Sequence, residues 1–92
     1  MARNIQILQQ SRFYRFYKKL HPKEKAAVDL AVEAIVADPM CGEAKRGDLA
    51  GVFVYKFLCV GKHYLLAYEF DPRTRILLLV GTHENFYRDL KR

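Results

Sequence analysis

Three runs rich in β-branched, aromatic and leucine residues follow one another with almost nothing between them: Val52 to Val60, His63 to Phe70 and Arg75 to Thr82. Gly61-Lys62 separates the first two, and Asp71-Pro72-Arg73-Thr74 turns the second into the third. Connections this short leave no room for a crossover, so the runs pair as an antiparallel meander. With Gly61-Lys62 as a two-residue loop, Val60 faces His63, Leu58 faces Leu65, Lys56 faces Ala67 and Val54 faces Glu69. The alternate positions pair Cys59 with Tyr64, Phe57 with Leu66, Tyr55 with Tyr68 and Phe53 with Phe70. That second set is aromatic and aliphatic throughout and is expected to pack on helices. The first set carries Lys56, His63 and Glu69 among smaller apolar residues and is expected to stay open for function. The third run, with Ile76 to Val80 unbroken, predicts burial on both sides. Pairing Phe70 with Arg75 places Thr82 beside His63.

The helices that cover the aromatic face are also legible. Asn4 to Leu8 alternates briefly, as a short strand does. Ser11 then reads as an N-cap, and Phe13, Phe16, Tyr17 and Leu20 form an amphipathic stripe opposite Arg12, Arg15, Lys18 and Lys19. Pro22 suits a helix start, Val28, Ala31, Val32 and Ile35 keep helical spacing to Ala37, and Asp38-Pro39 ends the segment. Two helices this close in sequence are expected to form a hairpin. After Gly81-Thr82, His83 to Leu90 makes about two helical turns, with His83 and Tyr87 one turn apart. The expected fold is α+β, in the order β-α-α-β-β-β-α: a small antiparallel-rich sheet packed on an N-terminal helical hairpin.

At 92 residues the chain is expected to be one domain, 1–92. Its longest apolar runs are far shorter than the roughly 20 residues of a membrane span. The opening Met1-Ala2-Arg3-Asn4 lacks the apolar stretch of a signal peptide. A cytoplasmic, non-membrane protein is expected, and Cys41 and Cys59 suggest no disulfide framework. The charge is the first functional clue: 16 Lys and Arg against 10 Asp and Glu give +6, which favours an anionic partner. A basic surface that serves only solubility is the alternative.

Three features converge in the expected register: His63, His83 and Lys56. An imidazole moves protons near neutral pH, and a nearby cation stabilises the phosphorane-like charge formed when an RNA 2′-hydroxyl attacks its own phosphodiester. Spacing alone leaves an ordinary polar sheet face open as well. Lys45-Arg46, in the loop from Gly42 to Gly51, either contact phosphate or keep the loop hydrated. Tyr87 either serves the site or folds against the core. His21 reads as solvated, and Glu84 as a complement to the helix dipole. Three histidines without ligand-like spacing predict no metal site, and no cofactor is implied.

The element order, the segment Gly47-Asp48-Leu49-Ala50-Gly51-Val52-Phe53-Val54-Tyr55-Lys56-Phe57, the strand Tyr64-Leu65-Leu66-Ala67-Tyr68-Glu69 and the ending Gly81-Thr82-His83-Glu84-Asn85-Phe86-Tyr87-Arg88-Asp89-Leu90 together resemble the RelE/ParE superfamily of bacterial toxins from type II toxin-antitoxin pairs. The resemblance implies either a metal-independent, ribosome-dependent mRNA endonuclease or a poison of DNA gyrase without nuclease activity. A third possibility is a toxin fold kept as a non-catalytic antitoxin-binding module. Under the nuclease reading, Lys56 holds phosphate, His83 is general acid or base, and Tyr87 stacks on or orients the nucleotide. Lys45, Arg46, His63 and Arg88 are then the further RNA or phosphate contacts. The chain departs from the nuclease pattern at Leu65, where those toxins commonly carry an arginine. The resemblance also implies a cognate antitoxin, expected as an acidic amphipathic segment on the half-apolar open face formed by Val54, Leu58, Leu65, Leu78 and Val80.

Overall fold

The computed structural model describes residues 4–91. Met1 to Arg3, which belong to the opening on which the signal-peptide expectation rests, lie outside the described residues. Five strands, β1 (Gln6–Gln9), β2 (Glu43–Ala44), β3 (Phe53–Cys59), β4 (Lys62–Asp71) and β5 (Thr74–Thr82), form one sheet in the order β1-β5-β4-β3-β2. Helices α1 (Ser11–Tyr17) and α2 (Pro22–Ala37) lie between β1 and β2 in sequence, and α3 (His83–Leu90) follows β5. Beyond the expected order there is one added strand, β2, which pairs Glu43 with Val54 and Ala44 with Phe53. Among the described residues no helix is long and apolar enough to cross a membrane.

The helix starts follow local chemistry. Pro22 opens α2, and Glu24 Oε1 accepts a 2.8 Å hydrogen bond from the His21 backbone N–H, so His21 stands at the N-cap and is exposed to solvent as expected. Ser11 is the first helical residue of α1, not its cap; Gln10 occupies that position without a side-chain cap.

The β3–β4 register differs from the expected one by two residues. Leu58 faces His63, Lys56 faces Leu65, and Val54 faces Ala67. The loop is Val60-Gly61 instead of Gly61-Lys62: both residues have positive φ, 51° and 82°, the pattern of a type I′ turn that matches strand twist. A slip of two keeps every side chain on its expected face, because strand side chains alternate with period two. Between β4 and β5 the predicted pair of Phe70 and Arg75 is present, but an irregularity at Ala67/Tyr68 shifts the pairs beyond it, and Thr82 pairs with Tyr64 rather than His63.

Both faces of the sheet are covered. On one, Tyr64, Leu66, Tyr68, Leu77 and Val80 pack with Phe13, Val28, Ala31 and Ile35 of α1 and α2. On the other, Val54, Leu65, Ala67, Leu78 and Leu79 pack with Phe86 and Leu90 of α3. The expectation of an open, half-apolar face is therefore corrected. Val54, Leu65 and Leu78 are buried in the cluster shared by α3 and Val52, Val80 is turned to the α1–α2 side by the irregularity in the ladder, and of the five only Leu58, 63% exposed, remains at the surface.

Two polar devices fix the remaining elements. Arg75 is 4% exposed and donates from Nε to the Ile35 carbonyl (3.1 Å), from Nη2 to that of Val36 (3.1 Å) and from Nη1 to that of Asp71 (2.8 Å). Its charge sits at the negative end of α2 and satisfies carbonyls that have no partner inside the helix. Tyr68 Oη donates to the Pro39 carbonyl (2.7 Å) and accepts from the Gly42 N–H (3.0 Å). Burial, the largest cause, pushes its pKa up to about 12, so the phenol stays neutral in that role. A Cβ on Gly42 would stand 2.6 Å from this hydroxyl, which is why the chain entering β2 has glycine there.

Arg75→Leu is expected to lower stability by about 2–3 kcal/mol in urea titrations, because the α2 carbonyls lose a charged donor. Arg75→Lys should recover only part of this, since one ammonium does not span the same carbonyls as a guanidinium. Val60→Asn is expected to raise stability by about 1 kcal/mol in the same titrations, because valine is poorly suited to the left-handed backbone and asparagine tolerates it. Unchanged stability would show that the turn relaxes around valine.

Candidate functional site

The site forms where the edge of the sheet meets α3. Thr82 stands at the N-cap of α3 and His83 is its first residue, so Tyr87 lies one turn further along the same flank. The imidazole of His83 is exposed and meets the Tyr87 ring edge to face, at 6.4 Å between centroids and 82° between planes. Phe86, buried against the sheet, supports Tyr87 from the other side at 5.3 Å and 90°. Tyr87 thus rests on the core through Phe86 while remaining partly exposed beside His83.

The Tyr68–Gly42 contact delivers β2 to the opposite side of this flank. Glu43 and Lys45 are two residues apart in extended chain and point the same way. Lys45 Nζ lies 5.0 Å from the Tyr87 ring centroid and 3.1 Å from Glu43 Oε1. Tyr87 first, and Glu43 after it, raise the Lys45 amine above the ordinary lysine value, against an opposing pull from desolvation. Lys45 is accordingly a fixed cation: it suits a phosphate oxygen and does not accept protons near neutral pH. The order across the site is Glu43, Lys45, Tyr87, His83.

The other residues singled out from sequence lie around this group. Lys56 is exposed on the α3 side of the sheet and faces Leu65, which faces Gly81. Two strand spacings, about 10 Å, therefore separate it from Gly81, two residues before α3 begins. His63, exposed opposite Leu58, precedes Tyr64, which pairs with Thr82, so it lies at the same end of the sheet as His83, although it takes no part in the contacts joining Glu43, Lys45, Tyr87 and His83. Arg46 is exposed in the following loop, and Arg88, also exposed, has Nε 3.8 Å from Asp89 Oδ1. The structure brings Lys45, Tyr87 and His83 together, keeps Lys56 on the same face, places His63 beside the Tyr64–Thr82 pair at the same end of the sheet as His83, and leaves Arg46 and Arg88 exposed around the group.

Sequence reasoning missed Glu43, which holds Lys45, and Arg12, whose Nη1 donates to the Asp89 carbonyl near the end of α3. The alternation of Glu43 with Lys45 was a signal for the first; no local pattern announces the second. Among the described residues, no three His, Cys, Asp or Glu side chains gather in a way that would hold a metal ion.

A family model described as the ParE-like toxin of type II bacterial toxin-antitoxin systems matches residues 7–91. No curated protein matches the sequence. Among solved structures, the RelBE2 toxin-antitoxin complex of Mycobacterium tuberculosis is similar at 26% identity, covering 90% of this chain and 95% of its counterpart, with a TM-score of 0.73. The intact RelBE toxin-antitoxin complex of E. coli is 17% identical over 87% of this chain and 98% of that one (TM-score 0.69). A mutant E. coli RelE toxin in the free state is 13% identical over 95% and 90% (TM-score 0.72). The two E. coli structures speak to the fold alone. With the family model spanning nearly the whole length, the chain belongs to the ParE-like toxins of type II bacterial toxin-antitoxin systems, within the RelE/ParE superfamily.

Proposed function

We propose that this toxin cuts translated mRNA on the ribosome and is neutralised by a cognate antitoxin in the cytoplasm. The observation that carries this reading is the grouping of Lys45, Tyr87 and His83 on one flank of α3, with Lys56 on the same side of the sheet. In the reaction an RNA 2′-hydroxyl gives up its proton as its oxygen attacks the adjacent phosphorus. The bond from phosphorus to the 5′-oxygen breaks, and that oxygen takes a proton. His83 performs one of these transfers as general acid or base. Lys45 and Lys56 balance the charge on the five-coordinate phosphorus, and Tyr87 offers a ring on which a base stacks. Arg46, Arg88 and His63 supply outer phosphate contacts. The ribosome contributes what so small a site lacks, a substrate held in register.

The alternative is poisoning of DNA gyrase, which needs no catalytic groups. It is favoured by one observation: Leu65, where related nucleases carry an arginine, is 3% exposed beneath α3 and provides no cation.

The RelBE neighbours are complexes with antitoxins, which supports an antitoxin partner for this chain. An acidic amphipathic segment suits the basic surface. Leu58 is accessible to it directly, whereas Val54, Leu65 and Leu78 become accessible only if the segment takes the place of α3; Val80 is no longer part of this surface.

Induction without antitoxin is expected to yield cut mRNA only when ribosomes are present, and His83→Ala to lower cleavage by about 10² to 10⁴ while the protein stays folded. Intact mRNA together with DNA double-strand breaks would transfer the function to gyrase, and full cleavage by a folded His83→Ala protein would remove His83 from the chemistry. In hydrogen exchange on the antitoxin complex, β3 and β4 are expected to slow and the amides of α3 to speed up. Protection confined to the outer faces of α1 and α2 would refute the proposed antitoxin surface.

A further inference from the structure

On the side of α3 away from Tyr87, a cleft of about 550 Å³ runs between α1 and the end of α3. Arg12 and Arg15 of α1, with Lys19 in the turn after it, form one wall, Phe16 and Leu79 the floor, and Asp89 the far wall. Arg12 and Arg15, three residues apart, share one flank of α1, and Lys19 follows in the turn just after the helix. Ion pairs among the described residues join Lys45 to Glu43 and Arg88 to Asp89, and involve none of the three. Arg12 is engaged with the Asp89 carbonyl, while Arg15 and Lys19 are exposed. A second cleft of about 130 Å³ shares Phe16, Leu79 and Asp89 and continues past Gly81 and Thr82. The two together lead along β5 to the residue before His83.

We infer that this groove binds the phosphodiester backbone of single-stranded RNA and guides it to His83. Three cations against one carboxylate select a polyanion, and guanidinium groups match phosphate oxygens in pairs. The aromatic and aliphatic floor accommodates a sugar or base beside the backbone, which a purely ionic surface would not. Continuity with Thr82 decides between an RNA strand and an acidic protein segment, since only the former has a reason to end at the proton-transfer residue. The choice of RNA rests on the ribonuclease reading; the binding itself does not require cleavage.

The test uses the full chain, free of antitoxin, and a fluorescent 2′-O-methyl oligoribonucleotide that cannot undergo 2′-hydroxyl attack. Arg15→Glu with Lys19→Glu is expected to weaken binding at least tenfold, read by anisotropy, and the milder Arg15→Gln with Lys19→Gln to fall between. Losing two phosphate contacts should flatten the dependence of log affinity on log salt by about 1.4. Both positions are exposed, so unchanged circular dichroism is expected and separates lost binding from lost folding. Wild-type affinity and salt slope in the glutamate variant, or no RNA binding by the wild-type chain, would overturn the inference. So would a variant that keeps RNA affinity but loses its antitoxin, which would assign the groove to the protein partner. Groove-dependent RNA binding by a toxin that breaks DNA and spares mRNA would sink the ribonuclease reading and leave the groove standing. Wild-type cleavage by the glutamate variant would do the reverse.

Discussion

Every residue of β4 from Tyr64 to Tyr68 is buried, and this two-sided burial is the constraint on which the rest of the molecule depends. A strand covered on one face can leave the other to solvent; a strand covered on both needs a layer on each side. Tyr64, Leu66 and Tyr68 require α1 and α2, and Leu65 and Ala67 require α3. The position of α3 is therefore a consequence of the same five residues that form the centre of the sheet. Because His83 and Tyr87 ride on α3, the candidate site is placed by the core and not by a loop.

The polar interactions then set the orientation of the elements that burial brings together. Arg75 ties the end of α2 to the turn between β4 and β5, so the helix layer and the sheet share one charged group. Tyr68 ties the chain entering β2, and through Glu43 and Lys45 that strand reaches Tyr87. Tyr68 is thus core on its ring and scaffold at its hydroxyl, which explains how a residue remote from His83 helps to determine the surroundings of Tyr87. The desolvation that raises its pKa belongs to the same arrangement.

Much of this fold was legible in the residues, and the parts that were not share a physical reason. Period-two alternation in β3 and β4 assigned the faces correctly even though the loop lay one position earlier than Gly61-Lys62, because a register change of two preserves parity. Nothing in Val60 advertises a left-handed residue, so local turn chemistry misdirected the pairing. The irregularity at Ala67/Tyr68 had the opposite effect: one extra residue reverses a face, and it sent Val80 to the α1–α2 layer. The shared stripe of Phe86 and Leu90 in α3 was present in the sequence, yet its destination was fixed only by the unfilled face above Leu65 and Ala67. Lys45 and His83 were separately recognisable as candidates, but their common contact with Tyr87 depends on β2, too short at Glu43–Ala44 to show a period.

The site's dependence on α3 has an energetic side. An eight-residue helix is too short to persist alone in water, and its docking rests chiefly on Phe86 and Leu90, each worth about 1.5–3 kcal/mol when buried. Arg12 adds a donor to the Asp89 carbonyl, where an unpaired helix end would otherwise remain. Anything that replaces Phe86 and Leu90 on Leu65 and Ala67 with an equal apolar area exchanges one cover for another at little net cost to the sheet. It also carries Tyr87 away from Lys45, leaving the core intact while the grouping of His83, Tyr87 and Lys45 no longer exists.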